Sequence, residues 1–243
     1  MIDLHSHILP DLDDGARDLE EALHMAHMGV RSGVTSMIAT PHCVDGGAES
    51  VMAAVNLLRE ALRETRIPLR LYPGMEIFGT RDTARLLREG KLLTLNNSRY
   101  PLIEFDFVSD GETETRILES VLLAGFIPVV AHPERYSYVQ QDPQLLNHWA
   151  SMGCLFQINK GSLLGRFGED SRQVAMALVD RGFATVVASD AHSSRMRTPW
   201  MYEVWDMLGK RFSPIASEML LRDNPWLILK NEKISSAAPE WFQ

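Results

Sequence analysis

Seven short apolar runs, at residues 2–4, 36–40, 70–76, 102–105, 127–131, 154–158 and 185–189, recur along the chain, and amphipathic stretches fill the gaps between them. Most of the runs are apolar at successive positions instead of alternating, which is the pattern of strands buried on both faces of a parallel sheet. The intervening segments 19–32, 51–64, 113–124, 143–152 and 171–181 read as helices, with apolar residues at helical spacing such as Leu19, Ala22, Leu23, Ala26 and Val30 in the first. Asp18 followed by Glu21 reads as a capping box ahead of that helix, and Gly33 as its stop. A β/α unit repeated seven times within 243 residues predicts an α/β fold with a single domain, a distorted (β/α)7-type barrel in preference to an open sheet.

Composition removes several alternatives. Two cysteines, Cys43 and Cys154, are too few for a disulfide framework or a zinc ribbon and suit a reducing compartment, so a cytoplasmic protein is expected. The first residues run straight into Asp3, His5 and His7 with no basic start or apolar segment, and no apolar run approaches the length of a bilayer span. Neither a secretion signal nor membrane insertion is expected. A net charge of −8 is the wrong sign for tracking a phosphate backbone, which argues against nucleic acid as a partner.

Parallel β/α folds carry their chemistry where the strands end at the C-terminal face. Five of the eight histidines stand at such ends here. His5 and His7, two apart on an extended segment, point the same way, as two ligands of one metal must. His42 follows the second run, Glu76 ends the third, Glu104 lies in the fourth, His132 follows the fifth, and Asp190 and His192 follow the seventh. Imidazole with carboxylate suits manganese, iron or zinc, and so many ligands need more than one divalent ion. Taken singly, His42, Glu104 or His132 reads equally well as a hydrogen-bonding core residue; their joint placement is what points to a centre. His24, His27 and His148 fall inside helices and read as surface or packing residues. In the acidic loop that closes on Gly15, Asp11 and Asp13 read as turn residues, and Lys160 reads as a loop lysine before it reads as a carboxylated bridging ligand.

The whole set resembles the PHP (polymerase and histidinol phosphatase) superfamily, and within it the metal-dependent protein-tyrosine phosphatases of bacterial capsule and exopolysaccharide operons. Its carriers are the opening segment with His5, His7 and Asp13-Asp14-Gly15, then Thr40-Pro41-His42, Pro73 to Glu76, Pro101 to Phe105, His132-Pro133-Glu134-Arg135-Tyr136, Gln157 to Ser162 and Ser189 to His192. The resemblance implies a PHP barrel over residues 1–234 with a polar C-terminal tail at 235–243. It also implies two to three divalent ions, manganese first with iron or zinc as alternatives. One would be held by His5, His7, Glu76 and Asp190, a second by Glu76, Glu104 and His132, and a third by Asp14, His42 and His192. Arg135 matches the family's phosphate-binding arginine and Arg197 a second one. Lys160 departs from the small residue expected after the asparagine, which bears on substrate preference. The implied substrate is a phosphotyrosine protein, the tail of a bacterial tyrosine kinase. The aromatics Phe78, Phe107, Tyr136, Tyr138 and Phe167 near these motifs are candidates to pack a tyrosyl ring.

The chemistry is consistent with that reading. Three divalent ions would outweigh the four ligand carboxylates by roughly two charges, a local anion site inside an acidic protein. Metal-bound water with its pKa lowered towards about 7 would supply a hydroxide nucleophile, and phenolate, with pKa about 10, leaves readily. A cysteine-dependent phosphatase needs Cys-x5-Arg, but Glu49 stands six after Cys43 and Lys160 six after Cys154. No Gly-x4-Gly-Lys-[Ser/Thr] loop or Gly-x-Ser-x-Gly elbow is present. The alternatives are a small-molecule phosphatase such as histidinol phosphatase, an amidohydrolase, and an inactive metal-binding regulatory module.

Overall fold

A computed structural model of the chain describes residues 1–42, 47–234 and 239–243. Its strands are β1 (Ile2–Ser6), β2 (Ser36–Ala39), β3 (Arg70–Pro73), β4 (Glu76–Phe78), β5 (Leu102–Glu104), β6 (Val129–Ala131), β7 (Leu155–Asn159) and β8 (Ala184–Ala188). All pair in parallel, β1-β2-β3 in one sheet and β4-β5-β6-β7-β8 in another. The two sheets meet at both seams. Beyond β8, Asp190 N donates to His5 O at 2.9 Å and His7 N donates to Ala191 O at 2.8 Å, while Glu76 N reaches Pro41 O at 3.0 Å on the other side. Both seams therefore lie at strand ends that carry histidines and carboxylates, and the backbone there is pinned by hydrogen bonds from two directions.

The third apolar run breaks where an unbroken strand is expected from 70 to 76. A Cβ on Gly74 would stand 2.8 Å from Ile38 Cγ2 and 3.3 Å from Thr40 Cγ2, so the chain can pass β2 only as glycine. After the break Glu76 opens β4, paired with Leu102, instead of ending β3. Eight strands result from seven runs.

Two apolar layers hold the strands. One smaller cluster takes Ile2 and Leu4 from β1, Ile38 from β2, Leu102 from β5, Val129 and Ala131 from β6 and Val186 from β8, closed by Ile228 and Leu229. Strands of both sheets converge on it, so it fills the space that they enclose. The larger layer lies between sheets and helices; Ala22, Met25 and Ala26 of the helix Leu19–Arg31 pack there with Met37 and Ala39. Fully burying each Leu, Ile, Val or Met side chain of these layers contributes about 1.5–3 kcal/mol before the entropy of ordering is set against it. That helix begins as expected, Asp18 Oδ1 accepting from Glu21 N at 2.8 Å, and ends at Gly33, whose φ of +96° suits a glycine stop. The reciprocal half of the capping box is not what Glu21 makes. Its carboxylate accepts instead from Ser194 N at 2.6 Å and Ser194 Oγ at 3.2 Å, tying the helix to the loop after β8.

The other expected helices form with ends shifted by a few residues, as Gly47–Glu64, Glu112–Leu123, Gln144–Met152 and Glu169–Asp180. Tyr202–Arg211 and Asn224–Leu229 are helices not read from the sequence. Of the expected C-terminal tail, residues 235–238 lie outside the described residues. The last residues dock: Asn147 Nδ2 donates to Phe242 O at 2.8 Å, and the Phe183 and Phe242 ring centroids are 5.0 Å apart. No helix among the described residues is long and apolar enough to cross a membrane.

Candidate metal centre

The nine side chains singled out as ligands come together at the C-terminal strand ends. His5, His7, Glu76 and Asp190 form one group, His7, Asp14, His42 and His192 a second, and His42, Glu76 and Glu104 a third, each with its ligand atoms within 4.8 Å of one another. His132 joins through Nε2, 2.8 Å from Glu76 Oε1. The grouping differs from the expected one in detail. His7 belongs to two sets, and His42 reaches towards Glu104 as well as Asp14, with Nδ1 3.0 Å from Glu104 Oε1 and Nε2 3.6 Å from Asp14 Oδ1.

The loop from Asp11 to Ala16 folds back on β1 to bring Asp14 in, with Ala16 N donating to His7 O at 3.0 Å. Gly15 makes this contact feasible, because a Cβ there would stand 2.0 Å from the His7 carbonyl oxygen. His132 and Asp190, each just beyond a strand, hold φ values of +34° and +50°. Non-glycine residues in that region cost roughly 1 kcal/mol or more, a strain that turns both side chains off the strand direction and is common at functional sites.

Tautomers decide what the innermost group can hold. Gln157 Oε1 lies 2.8 Å from His5 Nδ1 and can only accept, so that nitrogen carries the proton. Asp13 Oδ2, 2.6 Å from His7 Nδ1, does the same for the second ring. Both Nε2 lone pairs then face each other at 3.2 Å. Glu76 Oε2 is 3.2 and 3.1 Å from them and Asp190 Oδ1 3.4 and 3.6 Å, all four side chains at most 2% exposed. Four buried electron-pair donors without a cation between them repel one another, and Asp190 Oδ1 finds no hydrogen-bond partner among the described residues. In the metal-free protein the demand is met by protons: burial pulls the His5 pKa down, but the Glu76 and Asp190 carboxylates overcome it and hold the ring at about 9. For His7, burial is again opposed, by the hydrogen bonds to Asp13 and Glu76, and the ring also stands at about 9. A divalent ion satisfies the same set without those protons. The donor set fits a metal.

Exposure grades outwards. Asp14 is 62% exposed and His42 38%, whereas the innermost four are sealed, so the outer group opens to solvent. His192 sits between; burial and the neighbouring His7 push its pKa down to about 4.

A supporting shell fixes the donors. Gln157 Nε2 donates to Asn159 Oδ1 at 2.8 Å, and Asn159 Nδ2 donates to Asp190 Oδ2 at 2.6 Å. Glu134 Oε1 accepts from Asn159 N at 2.9 Å and Ser162 Oγ at 2.7 Å. Sequence reading passed over Gln157, Asn159 and Glu134 as individual residues and took Asp13 for a turn residue, although two polar residues two apart in an otherwise apolar strand are a signal that both face one polar feature. Asp11 stays exposed and outside the cluster. His24, His27 and His148 are exposed on helices. Lys160 is buried and away from the donors; its Nζ donates to the carbonyls of Thr198 and Trp200.

Two arginines stand over Asp190. Arg135 Nη1 lies 3.5 Å from Asp190 Oδ2, and its guanidinium lies over the rings of both Phe107 and Phe167, 4.7 and 4.4 Å from their centroids. Such cation–π contacts contribute about 1 kcal/mol apiece. Arg197 Nη2 pairs with the same oxygen, and its Nε is buried without a partner among the described residues. Of the aromatics expected to receive a tyrosyl ring, Tyr136 and Tyr138 are buried and stacked on each other, and Phe107 and Phe167 face Arg135. Phe78, at the end of β4, is half exposed. Cys154 precedes β7 at the strand's opposite end, and burial pushes its thiol up to about 12, which leaves no thiolate to attack. Cys43 lies outside the described residues.

The family model for capsular polysaccharide synthesis, CpsB/CapC, matches residues 1–230. The tyrosine-protein phosphatase YwqE of Bacillus subtilis is 37% identical over 99% of this chain and 96% of its own length. The tyrosine-protein phosphatase CpsB of Streptococcus pneumoniae is 33% identical over 96% of this chain and all of its own length. A crystal structure from the pair YwqE and CpsB, described as unique metal-dependent tyrosine phosphatases, superposes with a TM-score of 0.95 at 36% identity, covering both chains completely.

Proposed function

The chain belongs to the CpsB/CapC family of capsular polysaccharide synthesis, and from that premise we propose that it is a metal-dependent protein-tyrosine phosphatase. The observation that carries this is the innermost quartet, whose four buried electron pairs demand a cation, directly beneath two arginines. His5, His7, Glu76 and Asp190 would hold one ion, Glu76, Glu104 and His132 a second, and Asp14, His42 and His192 a third. Glu76 turns one oxygen towards His5 and His7 and the other towards His132, so it could serve two of these ions at once. The outer group is open to solvent and would hold its ion more weakly, so a content of two to three is expected. Manganese is the metal we favour, with iron or zinc as alternatives.

When bound, such ions supply Lewis acidity and activate a water for attack on phosphorus. The chain's own residues do the rest. Arg135 and Arg197 bind the equatorial phosphate oxygens, exchanging part of their interaction with Asp190 for charge-assisted bonds to substrate. Asp13 and Gln157 keep the histidine electron pairs pointed inwards. A phenolate leaves with modest help, so no protein acid is required close to the leaving oxygen. The substrate is a phosphotyrosine on a flexible segment of a protein, the tail of a bacterial tyrosine kinase, met in the cytoplasm during control of capsule or exopolysaccharide synthesis.

Elemental analysis of the purified protein and turnover of a phosphotyrosine peptide, a phosphoserine peptide and histidinol phosphate with manganese test this reading. Two to three ions per chain, loss of turnover on chelation and preference for phosphotyrosine are expected. Full activity in a metal-free preparation defeats the metal assignment, and equal turnover of histidinol phosphate defeats the substrate assignment.

A further inference from the structure

Phe167 stands where both arginines meet. Its ring centroid is 4.4 Å from Arg135 Cζ and 5.9 Å from Arg197 Cζ, and both guanidinium groups contact Asp190 Oδ2. The ring rests on Gly161, where an added Cβ would lie 2.5 Å from Phe167 Cε2. Gly165 and Gly168, with φ of +75° and +91°, frame the segment that delivers it. Beside this seat the ring also walls a cavity of about 240 Å³, which Gly161, Ser189, Met196 and Arg197 line with it. A half-buried phenyl group so placed buries little, yet it presents a π face to a cation that is otherwise held by one carboxylate contact at 3.5 Å. Phe107 is the second ring against Arg135, its centroid 4.7 Å from Cζ.

We propose that Phe167 is a positioning residue for phosphate recognition, holding the Arg135 guanidinium together with Phe107 and steadying Arg197 beside it. This rests on the phosphatase reading above in assigning the two arginines to phosphate. It makes the Phe167 ring face a fixed support for Arg135, so the substrate's tyrosyl ring packs elsewhere at the mouth.

The test compares Phe167→Leu, Phe167→Tyr, Gly161→Ala, Arg135→Ala and the double variant Phe167→Leu with Arg135→Ala. Affinity of the manganese-loaded protein for inorganic phosphate is measured by calorimetry, alongside phosphotyrosine-peptide kinetics, metal content and Tm. Phe167→Leu loses roughly tenfold in phosphate affinity with metal content unchanged, the size expected for a cation–π support. Phe167→Tyr, which keeps the π face, stays near the parent. Gly161→Ala displaces the ring without altering it and reproduces most of the loss, which also covers the case in which Phe167→Leu folds poorly. In the Arg135→Ala background the Phe167→Leu effect shrinks to the smaller part that passes through Arg197, because most of it acts through Arg135. An unchanged affinity in Phe167→Leu and Gly161→Ala, a Tyr variant as weak as Leu, or a loss of full size in the Arg135→Ala background overturns the proposal. A parent protein that binds phosphate but turns over no phosphotyrosine would refute the phosphatase reading, and the affinities would still decide the role of Phe167.

Discussion

Asp13 and Gln157 fix which ring nitrogen of the two inner histidines keeps its proton, which leaves both Nε2 electron pairs aimed at the place a metal would take. Asp13 does more than Gln157, since its other contacts, to the backbone N–H groups of Gly15 and His42, join three parts of the site through one carboxylate. Asp13→Asn keeps the volume but lets the side chain donate, which frees His7 to take the other tautomer. Metal affinity is expected to fall by about 10- to 100-fold with the fold intact, the usual cost of losing a supporting partner of a metal-bound histidine. Titration against a competing chelator measures it; an affinity equal to the parent's would show that Asp13 is only a turn residue. Arg135→Ala, by contrast, should leave metal content alone and lower phosphotyrosine turnover by roughly 10² to 10³, with Arg135→Lys recovering only part because a point charge cannot grip two oxygens at once. Unchanged kinetics would reduce Arg135 to an ordinary ion pair with Asp190. Cys43→Ser with Cys154→Ser retains most turnover if hydroxide is the nucleophile, and loss of turnover at constant metal content would reverse that view; the Cys154 thiol, pushed up by burial, already points this way.

Between residue and fold, the element that matters most is the loop from Asp11 to Ala16, which carries Asp13 and Asp14 back over β1. Gly15→Ala puts a Cβ into the His7 carbonyl, a backbone atom that cannot step aside, so the loop itself must lift. A destabilisation of about 1–3 kcal/mol is expected, as for other overpacked sites, together with loss of the ion nearest Asp14. Tm and metal stoichiometry report the two effects separately, and a variant with parental values of both refutes the role given to the loop. This loop also illustrates what sequence alone can convey. The apolar runs were readable because strands buried on both faces need no periodicity, and eight of the nine donors because histidines and carboxylates rarely gather at strand ends without a shared purpose; Asp14, in a loop, was reached only through the family resemblance. The break at Gly74 was not, since its cause is Ile38 on another strand. Glu21 misled for a related reason: a capping glutamate and one that anchors Ser194 are the same letter at the same position, and only packing selects between them. Gln157 and Asn159, two apart in β7, signal that both face something polar, but what they hold, His5 and Asp190, emerges only when β7 is set beside β1 and the residues after β8.

Across the whole molecule, three bound ions would set a small positive region into a body of net negative charge. The net charge is −8, yet the end of the barrel concentrates five histidines, Arg135 and Arg197 around carboxylates that bound ions would more than neutralise. A phosphate dianion is drawn to the centre at short range, while charges on the peptide further out meet the field of the acidic surface. At 0.15 M salt that outer field is screened beyond about 8 Å, so it acts mainly on residues close to the mouth and mainly at low ionic strength. Phosphotyrosine peptides flanked by lysine or alanine should therefore have higher kcat/KM than the same peptide flanked by glutamate, and the gap should narrow as salt rises from about 20 to 300 mM because screening removes the repulsion. The difference should fall on KM more than on kcat, since flanking charge alters encounter and binding while the reacting atoms see the same ions and arginines. Kinetics on the three peptides at the two salt concentrations decide it. A glutamate-flanked peptide preferred at low salt would mean that the local field of the arginines reaches beyond the phosphate and governs docking, and the acidic surface would then have no part in choosing the substrate.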